Sequence, residues 1–296
     1  MPSLIGLIRN PAATRAGAGA PAGANLVARA PGDFAALDGA LREMKAAGIG
    51  ALAIEGGDGT VREVLGRALP LWSGAPPPFA IVAAGNTNLI ARSAGRARGA
   101  ALARLLEPGR AKRRGLHVLR VDRAGAPDIR GFILGAGVYV AATRLAREEI
   151  AARHGAQVLL AALRVLRSPA LGAAHRIGFA AGAPAGDPAP RALVAMTSLP
   201  GALLLGLNPF GGRGGEGRIR WLDIAANPPR PLLAAPFLAL GGPRRWMSDA
   251  YRRGVAEHAE LRLDAPFIVD GEEFTPGTDG RVRVSATECV TFLSDR

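Results

Sequence analysis

The 296-residue sequence holds one cysteine, Cys289, and two lysines, Lys45 and Lys112. A lone thiol cannot close an intrachain disulfide, so a reducing cytoplasm is the expected setting and Cys289 is expected to be a small buried apolar residue. Aromatic residues make up 5% of the chain, too few to interleave with basic side chains as base-stacking platforms, which argues against a nucleic-acid partner. The four histidines, His117, His154, His175 and His258, lack the short spacings of metal ligands and are read as structural. No uninterrupted apolar run reaches the roughly 18 residues of a membrane-spanning helix. Met1-Pro2-Ser3 leads directly into a strand pattern with no signal-peptide character, so the expected place is the cytoplasm.

What is present fits a globular protein: 49% hydrophobic and 21% charged residues, in a length suited to one large domain or two ordinary ones. The net charge of +13 comes almost entirely from arginine. Long-range attraction of that sign suits an anionic membrane surface or nucleotide phosphates, although an arginine-rich compositional habit accounts for it equally well.

The most informative stretch is Glu55-Gly56-Gly57-Asp58-Gly59-Thr60. Ala51 to Ile54 reads as a buried strand, and Val61, Val64, Leu65, Ala68 and Leu69 share one face of a helix beginning near Thr60. The glycines therefore fall in a strand-to-helix turn. Without Cβ atoms they let backbone N–H groups approach an anion at the helix N-terminus. Asp58 is out of place in a site that only holds phosphate, and makes sense if it holds a metal ion or accepts a hydroxyl hydrogen bond. The alternative is a tight turn with Asp58 as a helix cap.

Gly56 to Thr60, with Glu63 one turn later, resembles the signature shared by diacylglycerol and sphingosine kinases and NAD kinases. Three further segments extend the resemblance: Asn10-Pro11 after the first apolar run, Gly85-Asn86-Thr87-Asn88 after Ile81 to Ala84, and Asp270-Gly271-Glu272. The late acidic motif and the lack of a threonine-rich segment favour the bacterial diacylglycerol-kinase-like lipid kinases over NAD kinases. The resemblance implies an α/β nucleotide-binding domain with a parallel sheet, residues 1–113 completed by 289–296, and an all-β sandwich domain, residues 114–288. It further implies ATP and Mg2+ as cofactors, bound between the domains, and a lipid hydroxyl such as that of diacylglycerol as phosphoryl acceptor. Peripheral contact with the inner membrane surface would follow.

Along the chain, Leu4 to Ile8 is a strand, and Asp33 caps a helix whose apolar face is Phe34, Leu37, Leu41 and Met44. Phe79 to Ala83 is the next strand. A short helix around Leu102, Leu105 and Leu106 precedes a change to shorter alternating runs. Arg191 to Thr197, Ala202 to Leu207, Leu233 to Leu240, Leu261 to Leu263 and Phe267 to Asp270 read as strands. Ala141 to Arg167 is the helical exception, with Arg144, Arg147, Arg153, Arg164 and Arg167 forming either a solvated face or a surface for anionic lipid.

For phosphoryl transfer the candidate base is Glu272, with Asp270 on the same side of a strand as its partner. A hairpin turn with solvated acids is the alternative. Asn86 and Asn88 are candidates for bonds to nucleotide or backbone. Three departures from the family stand out. Leu89 follows Asn88 where an acid is usual, Asn86 replaces a threonine, and the magnesium-holding acidic loop is represented only by Gly215-Glu216-Gly217, with Asp223 beyond it. Glu216 is the one candidate metal ligand, and a catalytically weakened protein that binds nucleotide or lipid on the same scaffold is the alternative function.

Overall fold

The computed structural model describes residues 4–13, 25–73, 75–85, 88–107, 109–150, 175–201, 203, 207–212, 214, 216–240, 242, 244–247 and 249–295. The chain divides into two compact units, Met1–Leu116 with Cys289–Arg296, and His117–Glu288.

In the first unit the described elements run β1 (Ile5–Arg9), β2 (Leu26–Arg29), α1 (Phe34–Ala46), β3 (Ala51–Gly56), α2 (Asp58–Leu71), β4 (Phe79–Ala83) and α3 (Leu89–Ala94). A 3-10 turn over Gly99–Arg104 and the start of β5 (Ala111–Arg123) follow. The strands are short continuous apolar runs, as expected of a parallel sheet covered on both faces, and β3 is buried along its whole length. The sheet order is β2-β1-β3-β4, with every pair parallel. The last residues of β15 (Arg281–Asp295) add a further parallel strand beside β4, pairing Phe292 with Phe79 and Leu293 with Ala80. Arg9 pairs with Glu55 and Glu55 with Val82. The carboxyl ends of β1, β3 and β4 are therefore level, and the segments that follow them emerge at one sheet edge.

The helices follow their sequence signals. Asp33 caps α1 by accepting from Ala36 N–H, and the buried residues of α2 are Val61, Val64, Leu65, Ala68 and Leu69. Phe34 departs from its expected role. It is 61% exposed, and the Arg67 guanidinium lies 4.6 Å over its ring, because the first residue of α1 lies beyond the covered face.

The second unit is antiparallel and β-rich. Its strands are the rest of β5, then β6 (Ala126–Gly131), β7 (Ile133–Gly137), β8 (His175–Ala181), β9 (Ala189–Thr197), β10 (Ile219–Ala225), β11 (Tyr251–Ala256), β12 (His258–Leu263), β13 (Phe267–Val269), β14 (Glu272–Phe274) and the first half of β15. Alternating residues such as Leu119, Val121, Val282 and Val284 enter one core with Leu134, Leu261 and Phe267. A second core gathers Phe210, Leu222, Ile224, Leu238 and Tyr251.

Three expectations are corrected here. Leu233 to Leu240 is not a strand: α5 (Pro231–Ala239) covers most of it. A continuous apolar run does not by itself separate a buried strand from a helix, and Pro231 at the first helical turn with leucine and alanine behind it favours the helix. Cys289 is exposed, because the alternation of β15 turns Val282, Val284, Ala286 and Val290 inward and Arg283, Thr287 and Cys289 outward. The predicted helix from Ala141 begins earlier, as α4 (Val138–Ile150), and its remainder lies outside the described residues, as does most of the Ala202 to Leu207 strand.

Candidate functional site

Three of the singled-out segments meet at the carboxyl edge of the parallel sheet. Asn10 N–H donates to the Glu55 carbonyl (3.0 Å) and its Nδ2 donates to Thr60 Oγ1 (2.9 Å), while its Oδ1 accepts from Ala12 N–H across exposed Pro11. A Cβ on Gly56 would strike the Thr60 side chain at 2.6 Å, and one on Gly85 would lie 2.5 Å from the Gly57 Cα. Gly57 and Gly85 are thus in backbone contact, which only glycines permit. Asn88 closes the far side. In the left-handed conformation (φ +47), it accepts from Gly85 N–H and donates back to the Gly85 carbonyl. Asn86 lies outside the described residues.

Asp58 has a role the sequence did not disclose. Its Oδ2 accepts from Leu89 N–H and its Oδ1 from Ile90 N–H, both at 2.9 Å, so it caps α3 and not its own helix. Burial pushes its carboxyl above the usual carboxylate range, against the two N–H bonds and the charge of Arg92, which favour the ionised form. Each oxygen thus holds one N–H of α3, a clasping role beyond the metal or hydroxyl role the sequence suggested. Leu89, where an acid is usual in the family, supplies its backbone N–H to this clasp.

What the turn offers a ligand is backbone. The N-cap of α2 is Gly57, with no side chain capping the helix. Around Gly59 no atom lies within 4 Å of where a Cβ would be, so its outer side is open. An uncapped fourteen-residue helix with a glycine-lined approach attracts an anion through its first N–H groups and dipole. Glu63 contributes elsewhere: it pairs with Arg62 (3.1 Å) and Arg67 (2.9 Å), and Arg67 also holds Asp38. Sequence reasoning missed Arg92, the exposed cation on α3 whose field reaches Asp58; its signal was an arginine one turn past Asn88.

In the second unit, β13 and β14 form a hairpin in which Val269 pairs with Glu272. The two linking residues, Asp270 (φ +47) and Gly271 (φ +89), are both left-handed, the geometry an Asp-Gly two-residue hairpin turn demands. This breaks the strand alternation that was to place Asp270 and Glu272 side by side. Asp270 instead accepts from Phe132 N–H (2.9 Å) and Ile133 N–H (2.8 Å), clasping the hairpin to the β6–β7 connection. Gly131 makes room, since a Cβ there would lie 2.7 Å from Asp270 Oδ2. Glu272 opens β14, half-buried, and Glu273 pairs with Arg144 of α4 (2.6 Å). Tyr139, absent from the sequence argument, has its hydroxyl pushed up to about 12 by burial and by the Asp270 charge, so it stays a proton donor.

Among the described residues, the candidate ligands for a protein-held magnesium are turned to solvent or paired with arginine. Glu216 is exposed on a turn at φ +55. Both oxygens of buried Asp223 are taken, one by Arg191 (2.9 Å) and the other by Arg252. Among the described residues no group of three or more His, Cys, Asp or Glu could hold a metal. A guanidinium occupies this region. Arg220, fully buried, donates to the carbonyls of Leu199 and Gly201 (2.6 Å each) and Gly211 (3.3 Å), and to Asn208 Oδ1 (2.7 Å).

Comparison with known proteins agrees with this geometry. Residues 20–118 match the family of the diacylglycerol kinase catalytic domain. The match takes in the glycine turn and Gly85 to Asn88 and leaves out Asn10, Asp270 and Glu272. Three solved structures from Bacillus anthracis strain Sterne share the fold: a proposed diacylglycerol kinase (17% identity, TM-score 0.66, 99% of this chain and 97% of that one), a diacylglycerol kinase (15%, 0.64, 99% and 96%) and another proposed one (16%, 0.64, 99% and 97%). No curated protein matches the chain. Among the described residues no helix is long and apolar enough to cross a membrane.

Proposed function

We propose that this lipid kinase-like protein transfers the γ-phosphate of ATP to the hydroxyl of a lipid such as diacylglycerol. The observation that carries the reading is the glycine turn. There, close packing of Gly57 on Gly85 and the engagement of Asp58 by α3 leave the uncapped N-terminus of α2 as an open anion cradle. ATP, entering as substrate with its own Mg2+, would rest its phosphates on the backbone N–H groups of Asp58, Gly59 and Thr60. Phosphoryl transfer depends mainly on positioning and charge stabilisation, so such a cradle supplies much of what the protein must provide.

In this reading Glu272 is the base that receives the proton of the attacking hydroxyl. Asp270 is a positioning residue, since its carboxylate fixes the hairpin whose next strand begins at Glu272. The test is incubation of the purified chain with labelled ATP and a mixed lipid extract, followed by identification of the labelled product. A phosphorylated lipid that forms with wild type and is lost with Glu272→Gln is the expected result. Nucleotide binding without any labelled lipid would favour the alternative, a binding protein on the kinase scaffold.

A further inference from the structure

The first unit contains a second basic feature that the glycine turn does not use. A cavity of about 630 Å³ is lined by Arg98, Ala100, Arg104, Leu105, Gly109, Arg110 and Asp295. Its floor is fixed by core residues: Ala97, Leu102 and Leu105 are buried with Ala80 and Leu293 in one cluster. Arg98 directs its backbone N–H (2.9 Å) and Nε (2.8 Å) to Asp295 Oδ2, which orients the guanidinium while its terminal nitrogens have no partner among the described residues. Arg110 is paired with exposed Glu107 at 3.3 Å, a contact that gives way readily to a stronger anion. Arg104 is exposed and has no partner among the described residues.

The surroundings add charge of the same sign. Arg96, Lys112, Arg113 and Arg114 are exposed beside these residues in the sequence, and Glu107 is the only acid from Arg96 to Arg114. Three guanidinium groups lining one concave surface suit a phosphate, whose oxygens each accept more than one N–H. The cavity is larger than inorganic phosphate requires, and Ala100, Leu105 and Gly109 leave an uncharged part of the wall for an organic body.

We infer that this cavity is a binding site for a phosphomonoester, separate from the glycine turn. The dianion would be held by Arg98, Arg104 and Arg110, and its organic part by the wall between them. A soluble ester and a phospholipid headgroup carry the same chemistry, and the test separates them. The full chain is titrated with glycerol 3-phosphate by calorimetry, and its sedimentation is measured with phosphatidylcholine vesicles with or without phosphatidic acid. Arg104→Ala, which breaks no contact in the described structure, is compared with Arg42→Ala, an exposed arginine on α1, and with Gly59→Val in the glycine turn.

Arg104→Ala is expected to weaken the binding about tenfold, the loss of one charged hydrogen-bond donor. Arg42→Ala and Gly59→Val are expected to leave it unchanged. Binding of glycerol 3-phosphate assigns the site to a soluble ester. Binding only to vesicles with phosphatidic acid assigns it to a lipid headgroup. Binding to neither probe, equal losses in Arg104→Ala and Arg42→Ala, or a loss confined to Gly59→Val would each overturn the assignment. The last outcome would place the ligand in the nucleotide turn.

Discussion

Asp58 in the first unit and Asp270 in the second each stand directly before a glycine, and each uses both carboxylate oxygens on two consecutive backbone N–H groups. Asp58 does so from the first turn of α2 and reaches across to α3. Asp270 does so from a left-handed hairpin position and reaches across to the start of β7. An acid inside a signature motif can thus be a clasp, and in the proposed mechanism the groups left for chemistry are its neighbours. For Asp58 these are the bare N–H groups of the turn; for Asp270 the neighbour is Glu272.

The largest expected effect tests that division in the second unit. Glu272→Gln should lower turnover by roughly 10²–10⁴-fold, the usual contribution of a general base, while ATP binding is kept. Asp270→Asn should behave the other way. Its amide can accept from only one of the two N–H groups, so the urea midpoint should fall by an amount corresponding to about 1–3 kcal/mol. If Asp270→Asn keeps its stability and loses turnover as severely as Glu272→Gln, Asp270 takes part in the chemistry and the comparison fails.

The glycines of the turn divide in the same way. A Cβ at Gly85 meets the Gly57 backbone at 2.5 Å and Asn88 Oδ1 at 3.2 Å, and backbone cannot yield as a flexible side chain can. Gly85→Ala should therefore cost about 1–3 kcal/mol of stability, read as a lower denaturation midpoint. Gly59→Val adds its side chain in open space. It should stay folded and lose ATP affinity, measured by equilibrium dialysis. Unchanged ATP affinity in folded Gly59→Val would remove the cradle from the proposed mechanism.

Much of this was legible because it is local. The periodicity of α2, the cap at Asp33 and the glycine turn after a buried strand are written in adjacent residues, and so the elements around the turn were expected where they occur. Partners distant in the chain were not legible. Nothing near Asp58 announces that its carboxylate belongs to Leu89 and Ile90, and nothing near Arg220 announces four acceptors spread from Leu199 to Gly211. Strand β2 escaped because it is a four-residue edge strand with little buried surface. Leu233 to Leu240 was misread because an apolar run without alternation carries no period to separate helix from strand.

Asp58 also predicts a pH dependence. Burial raises its carboxyl in the folded protein, so between the ordinary carboxylate range and that raised value the folded state holds a proton that the unfolded state has released. Stability therefore falls as pH rises through this window. Asp58→Asn has no such proton. It loses one N–H contact at every pH, and the wild-type advantage over it should narrow as pH rises across the window. Urea midpoints of both proteins over a pH series measure this. A widening gap would mean that the two N–H bonds and Arg92 outweigh burial.

The smallest expected effect is none at all. Where the two aspartates gather N–H groups, Arg220 gathers oxygens, donating to three carbonyls and to Asn208 from a fully buried position. A divalent ion would fasten the same kind of oxygen-lined loops. With a guanidinium already there, Glu216 turned to solvent and Asp223 held by two arginines, the expectation is that no protein-held ion fastens the described residues. Chelator added to the nucleotide-free chain should leave its unfolding midpoint unchanged, and excess Mg2+ should not raise it. Arg220→Met sharpens the point, since it strands several buried acceptors at about 1–3 kcal/mol each. Its lowered midpoint should not recover with Mg2+, because three carbonyls and an amide oxygen supply no charge to balance the ion. A chelator-induced drop in the wild-type midpoint that Mg2+ reverses would show a metal doing the work assigned here to Arg220.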